Sequence, residues 1–201
     1  SLTPPVYTDE DVIPDQPSDS IVVIPTYSPY VLNAQYELRP IVAHDLGRAV
    51  SPIPPEPDYK FQLFPSFEEV MDTLAWLQSR VDQEPTPLSV DIETIRKHIS
   101  CVGIAWSKTE AIVIPIFTHF NYFSLEEELQ IVLALRKLLT HPNAQNIGQD
   151  YTYDGMMFAW WWYFIPNLHH DTMFGQHILY LGMQKRLYFQ ASMYCEYYQY
   201  W

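Results

Sequence analysis

Two acidic residues separated by a single position are the first candidates for chemistry in this chain. Asp91 and Glu93 lie in residues 88–94, which are otherwise apolar and typical of a strand. In a strand, residues two apart point to the same face, so both side chains would project together. Two ionised carboxylates repel each other unless a cation neutralises them, and oxygen ligands suit a hard ion such as Mg²⁺ or Mn²⁺. The pair therefore predicts a divalent-cation site of the kind that hydrolyses phosphodiesters.

The same pair also has a plainer interpretation. Asp91 and Glu93 can simply line the polar face of a half-exposed strand, with Ile92 pointing into the core. The Asp-x-Glu pattern is short and uses common residues, so the spacing alone leaves both interpretations open.

Further acidic residues follow in the second half of the chain. A strand-like stretch at 144–147 leads into Asp150 and Asp154, which open an apolar segment that runs to Ile165. A helix that begins near Tyr151 would place the two acids one turn apart on one face. Asp171, beyond that segment, is predicted to be the N-cap of another helix.

Three segments, in this order, resemble the 3′-to-5′ proofreading exonuclease domain of family A DNA polymerases, particularly phage-type ones, within the DEDD exonuclease superfamily. Residues 91–94 are similar to the first motif, Asp-x-Glu-Thr, and residues 149–154 to the second, Gln-Asn-x-x-Tyr-Asp. Residues 171–173 are similar to the Asp-Thr-Met segment, and the match covers residues 60–201.

The resemblance implies site residues, cofactors and partners. Asp91, Glu93 and Asp154 would be the catalytic residues and would bind two divalent cations, Mg²⁺ or Mn²⁺. The substrate would be the 3′ end of single-stranded DNA, and a polymerase domain would follow in the same parent chain. The residues implied to contact the substrate are Thr94, Gln149, Asp150 and Tyr153.

The chain departs from the family at several points. Asp150 stands where the family has Asn, and an ionised carboxylate accepts hydrogen bonds but donates none. Asn146 and Asp150 offer the same spacing as Asp150 and Asp154, which gives a rival register. The third motif, Tyr-x-x-x-Asp or His-x-x-x-x-Asp, does not follow Asp171. We therefore expect a fragment that ends before this motif and has little activity alone. The alternatives are a catalytically silent DNA-positioning domain and a stand-alone ribonuclease similar to RNase D.

Residues 1–60 differ from the rest, because they carry most of the 17 prolines. We expect a Pro-rich segment with a linker at 51–60, and no independent domain there. Residues 21–50 weakly resemble the C-terminal end of uracil-DNA glycosylase-like domains, where a strand leads into Thr-Tyr-His-Pro and a helix. Ser28 replaces the His of that pattern.

Residues 61–201 predict an exonuclease-like α/β domain. Three antiparallel strands followed by α/β units match a ribonuclease H-like mixed sheet with helices on both faces. Ser66 and Ser124 are predicted helix N-caps, the second with a capping box to Glu127. The adjacent residues Trp160–Trp162 are assigned mainly to packing rather than to base stacking.

Charge and composition restrict the class of protein. The formal net charge of −13 is unfavourable for phosphate binding except where cations are bound. Cys101 and Cys195 are too few for a disulfide framework and are expected to be reduced. We expect no membrane span and a cytoplasmic location in a bacterial or phage-infected cell.

Overall fold

A computed structural model of the protein describes residues 24–51, 54–118, 122–195 and 197. Contacts between residues group the chain into two units, Ser1–Ile53 and Pro54–Trp201. None of the helices in the described segments combines the length and hydrophobicity that crossing a bilayer requires.

The first unit contains short helices. Helix α1 spans Val31–Ala34, a 3₁₀ turn spans Tyr36–Leu38 and helix α2 spans Arg39–Ala49. The helix expected in the glycosylase-like segment is therefore present as α2.

The strand expected to lead into Thr26 falls mainly on residues 21–23, which lie outside the described residues. Residues 24–28 have no regular structure, and residues 29–30 form a turn.

The second unit alternates strands and helices. Its strands are β1 (Lys60–Gln62), β2 (Thr86–Ile95), β3 (His98–Ala105), β4 (Glu110–Pro115), β5 (Ala144–Gly148) and β6 (Leu168–Asp171). Its helices are α3 (Phe67–Val81), α4 (Leu125–Leu139), α5 (Tyr151–Trp162), α6 (Thr172–Leu179) and α7 (Leu187–Tyr194).

The strands form one mixed sheet in the order β1-β4-β3-β2-β5-β6. Strands β2, β3 and β4 pair antiparallel, whereas β5 runs parallel to β2 and β6 runs parallel to β5. The predicted ribonuclease H-like fold class is therefore confirmed, and β2 lies in the interior of the sheet. The short edge strand β1, parallel to β4, was not predicted.

The predicted N-cap residues Ser66 and Ser124 form capping hydrogen bonds at the starts of α3 and α4. The Ser66 hydroxyl accepts a hydrogen bond from the Glu69 amide, and the Glu69 carboxylate accepts one from the Ser66 amide. Ser124 and Glu127 form the same reciprocal pair at the start of α4. These capping boxes satisfy N–H groups that the first turn leaves unpaired, and they fix where α3 and α4 begin.

One hydrophobic core joins the sheet to its helices. Alternate β2 residues, Leu88, Val90 and Ile92, are buried, as expected when one face of a strand packs inward. Helices α3 and α4 contribute Leu74, Leu77, Ile131, Leu135 and Leu138 to the same cluster. The other face of β2 is thereby left for polar residues.

The inward face of α4 should determine the stability of this unit. Leu135→Ala removes a fully buried side chain and should cost about 2–5 kcal/mol of unfolding free energy. Leu133→Ala, at a position that is 54% exposed on the same helix, is the matched control and should cost less than about 0.5 kcal/mol. Urea unfolding of the three proteins measures both values, and equal losses would contradict the assigned orientation of α4.

Candidate active site

The candidate site begins on the face of β2 that points away from the core. Asp91 lies between the buried residues Val90 and Ile92, Glu93 follows Ile92, and both acidic side chains keep surface in contact with solvent. They pair with Gly103 and Cys101 of β3, and the register of the two strands shifts just after Glu93. Such a bulge changes the direction of the side chains that follow it. The structure therefore places both carboxylates on one face, close to an irregularity that the sequence did not reveal.

Helix α5 brings a third carboxylate to this face. The parallel register of Ser89 with Ile147 sets the end of β5 beside the Asp91 end of β2. Helix α5 begins three residues after β5 ends, and Asp154 lies in its first turn, 4% exposed. The hydroxyls of Thr94 and Tyr153 are hydrogen bonded at 2.8 Å, which links the end of β2 to α5.

The carboxylates interact electrostatically. Burial, followed in order of effect by the charges of Asp91, Asp150, Glu93 and Asp171, raises the pKa of Asp154 to about 7. Burial, followed by the charge of Glu93, also raises the pKa of Asp91. No Lys or Arg forms a salt bridge with an acid within the described residues. The site is thus a group of like charges without a protein cation to compensate them.

The residues of the two possible motif registers have different environments. Asn146 pairs with Leu88 in the sheet, and its amide donates hydrogen bonds to the carbonyls of Leu139 and Asn167. Asn146 therefore lies on the core face of the sheet, away from Asp91. Asp150 is exposed and has a left-handed backbone with φ of 54°, a conformation that Asp tolerates better than most residues.

Asp171 connects the starts of two helices. Its carboxylate accepts hydrogen bonds from the amides of Met173 and Phe174, which confirms the predicted N-cap of α6. The same carboxylate accepts hydrogen bonds from the amides of Asp150 and Tyr151 at the start of α5, at 3.3 and 2.8 Å. The second pair was not predicted, because nothing in the local sequence shows that α5 begins beside α6. Asp171 thereby fixes the position of the helix that carries Asp154.

Gln149 is occupied by contacts within the protein. Its side-chain oxygen accepts hydrogen bonds from the Thr172 hydroxyl and the Gln190 amide, and its nitrogen donates to the carbonyl of Lys185. These contacts join the loop before α5 to α6 and α7. Of the four residues implied to contact substrate, Thr94, Asp150 and Tyr153 lie around the carboxylates, whereas Gln149 supports the loop beneath them.

The donor set fits hard divalent cations in kind. Asp91, Glu93 and Asp154 offer only carboxylate oxygens, and the raised pKa of Asp154 reflects burial together with unneutralised negative charge. Among the described residues, however, no three His, Cys, Asp or Glu side chains stand close enough to hold one ion. The structure therefore gives the right donors on the right face without a closed cation site.

Comparison with known proteins identifies the fold. No protein-family model and no curated protein matches the chain. Among solved structures, the catalytic core of RRP6 from Trypanosoma brucei matches with a TM-score of 0.54 and 16% identity, over 73% of this chain and 38% of that chain. RNase D from the same organism matches with a TM-score of 0.44 and 16% identity, over 58% of this chain and 39% of that one. The EXD2 exonuclease domain, soaked in Mn and GMP, matches with a TM-score of 0.42 and 13% identity, over 57% of this chain and 57% of that chain.

The match to the RRP6 core, with a TM-score of 0.54, shows that this chain shares the fold of that core. The two matches with lower TM-scores support no further inference. At this level of identity the likeness defines the fold alone. The chain spans little more than a third of the RRP6 core that it matches.

The pKa of Asp154 predicts a pH-dependent stability. A carboxyl group whose pKa is raised by folding stabilises the fold below its unfolded pKa, 3.8, and this contribution is lost as the pH rises through the folded value, about 7. In EDTA, the protein should therefore lose stability relative to Asp154→Asn as the pH rises across that range. Urea unfolding at several pH values tests this expectation. Asp72→Asn, on the exposed face of α3, is the control and should show no such trend.

Asp171→Asn should remove the contact of this residue with the start of α5 and keep its contact with the start of α6. An amide keeps one acceptor oxygen, which can still cap α6, but its NH₂ group cannot accept from the Tyr151 amide. The loss of a charged hydrogen bond with a buried donor should cost about 1–3 kcal/mol. Hydrogen exchange should then be faster at the Tyr151 amide and little changed at the Met173 amide. Unchanged protection of Tyr151 would show that Asp171 does not hold α5.

Proposed function

We propose that this chain is a 3′-to-5′ exonuclease module that hydrolyses the terminal phosphodiester of a single-stranded nucleic acid. The electrostatic coupling of Asp154 to Asp91 and Glu93 carries the proposal, because burial and the charges of these carboxylates raise the pKa of Asp154, while no Lys or Arg among the described residues forms a salt bridge with an acid. A fold would not keep such an arrangement for stability, since like charges placed together in a partly buried site are unfavourable. The arrangement is favourable where positive charge is bound.

In the proposed reaction, Asp91, Glu93 and Asp154 would act as ligands rather than proton shuttles. Two divalent cations bound by them would activate a water molecule and stabilise the leaving 3′ oxygen. Glu93, exposed on the same face as Asp91, would help to orient the attacking water. Tyr153 is 43% exposed, and its bond to Thr94 holds both hydroxyls at the edge of the site, where they can contact the terminal nucleotide.

The finer proposal is proofreading within a DNA polymerase. It rests on the similarity of residues 91–94, 149–154 and 171–173 to polymerase exonuclease motifs. The substrate would then be the single-stranded 3′ end of DNA, and a polymerase domain of the same parent chain would supply most of the binding to DNA. The acidic charge of this chain is consistent with that division of roles.

Two other functions are alternatives to this proposal. The fold shared with the RRP6 core does not distinguish DNA from RNA as the substrate, so a stand-alone ribonuclease is one of them. The separation of the three carboxylates, together with the extra acid Asp150, favours a silent domain that positions nucleic acid without cleaving it. Both alternatives give different results in the experiment below.

A labelled single-stranded oligonucleotide tests the proposal. With Mn²⁺ or Mg²⁺, the chain should shorten the oligonucleotide slowly from its 3′ end, and DNA should be shortened faster than RNA. Asp91→Asn and Asp154→Asn should each lower the rate by about 100-fold or more, since a misplaced reactive group alone can cost that factor. Asp72→Asn, which removes one negative charge on the exposed face of α3, should leave the rate unchanged.

The other outcomes decide between the functions. Faster cleavage of RNA would support the ribonuclease and contradict proofreading. If Mn²⁺ raises the melting temperature of the protein but not that of Asp91→Asn, while neither nucleic acid is cleaved, the domain is silent. Asp150→Asn should then be examined, because its charge is one of those that raise the pKa of Asp154. Equal cleavage by the protein and by Asp91→Asn would contradict the proposed site.

A further inference from the structure

A second recess lies beside the hairpin that joins β2 and β3. Its volume is about 240 Å³, and neither its walls nor its floor include Asp91, Glu93 or Asp154. Aromatic rings and a few polar groups line it: His98, Phe117, Thr118, Glu128, Trp161 and Trp162. We refer to it as the aromatic pocket.

The His98 ring contacts two other aromatic rings at this pocket, each in a tilted arrangement. The His98 ring lies 4.9 Å from the Phe117 ring and 4.1 Å from the Trp161 ring, with interplanar angles of 31° and 32°. The indole nitrogen of Trp161 donates a hydrogen bond of 2.7 Å to the Lys97 carbonyl, which sets the orientation of the ring. Phe117 and Trp161 are 42% and 36% exposed, so part of their surface remains available to a ligand. Pre-oriented aromatic surface of this kind binds nucleobases by stacking.

The aromatic pocket lies within reach of the carboxylates. Trp161 follows Asp154 by seven residues in α5, which places both on the same side of the helix about 10 Å apart along its axis. His98 pairs with Ile95, two residues beyond Glu93. A single strand whose terminal phosphate faces Asp91 can therefore place a nearby base against the rings.

The polar wall of the pocket restricts which base fits. Glu128 lies in the first turn of α4 and is half-buried, and its burial raises the pKa of the carboxyl group. An ionised carboxylate only accepts hydrogen bonds, through two adjacent oxygens. Guanine presents two neighbouring N–H donors on its Watson–Crick edge. Adenine, cytosine and uracil each place an acceptor beside their donor there, which a carboxylate repels.

We propose that the aromatic pocket is a base-binding subsite that stacks a nucleobase on the exposed surface of Trp161 and selects guanine through Glu128. This inference rests on the proposed function, because it assigns a nucleotide of the exonuclease substrate to the pocket. It goes beyond that function in naming a base preference. Because stacking requires no divalent cation, binding to the pocket can be measured when hydrolysis is prevented.

Titration of the full chain with GMP, AMP, CMP and UMP in EDTA tests the subsite. Binding is followed by NMR at the indole N–H signals, and Trp161→Phe identifies the signal of Trp161. GMP should shift that signal and bind about tenfold more tightly than AMP, within the range expected for one well-matched base edge. Trp161→Leu should weaken the binding of GMP by about fivefold or more, as expected for loss of a stacking ring.

Two variants of this experiment separate selection from general stacking. The side-chain amide of Glu128→Gln offers an N–H donor beside an oxygen acceptor. This variant should therefore bind GMP more weakly and AMP or CMP more tightly. Trp160→Leu, at a ring that is 70% exposed and does not line the pocket, should leave all four affinities unchanged. Equal affinities for the four nucleotides, or unchanged GMP binding in Glu128→Gln, would overturn the proposal even if the chain hydrolyses nucleic acid. Guanine selectivity in a chain without nuclease activity would instead contradict only the proposed function.

Discussion

The carboxylate of Asp171 accepts hydrogen bonds from backbone amides at the starts of both α5 and α6, and the position of the candidate site depends on this contact. A helix start leaves several amides unpaired, and an anion at that place also interacts favourably with the helix dipole. Here the Asp171 carboxylate pairs with free backbone amides at the starts of both helices. Because α5 is fixed at its first residues, Asp154 in its first turn is held near the end of β2. A change at Asp171 would therefore alter the site without touching it.

The group of acids held in this way is unfavourable for the folded chain alone. Burial of Asp154, followed by the charges of neighbouring carboxylates, raises its pKa to about 7. The second unit tolerates the cost because its core is extensive, with the inward faces of β2, β3, β4, α3 and α4 buried together. The hydrophobic core and the group of acids thus lie against opposite faces of β2. The aromatic pocket lies beside the β2–β3 hairpin and α5, so the chemically distinctive residues are concentrated in this region.

Much of the fold could be predicted from local patterns. The capping boxes at Ser66 and Ser124 and the N-cap at Asp171 rely on contacts within three residues, so the sequence contains all the necessary information. Alternation along β2 also showed which face Asp91 would occupy.

The remaining features depend on contacts between distant parts of the chain. The second role of Asp171, the hydrogen bonds of Gln149, the short strand β1 and the bulge after Glu93 each require the packed structure. The adjacent residues Trp160–Trp162 also have environments that only the packed structure shows. Trp162 packs against the core, Trp160 is exposed and Trp161 lines the aromatic pocket. The sequence suggested the acids of the site but could not show how closely they approach.

The central claim is that Asp91 and Asp154 share one uncompensated anionic site that accepts divalent cations. Its most direct test is the titration of the Asp154 carboxyl carbon by NMR in EDTA, in the protein and in Asp91→Asn, followed by the same titration with Mg²⁺. The account predicts a midpoint near 7 in the protein, a lower midpoint in Asp91→Asn, and a marked downward shift on addition of Mg²⁺. A midpoint near the ordinary value of 3.8 in both proteins, unaffected by Mg²⁺, would contradict it.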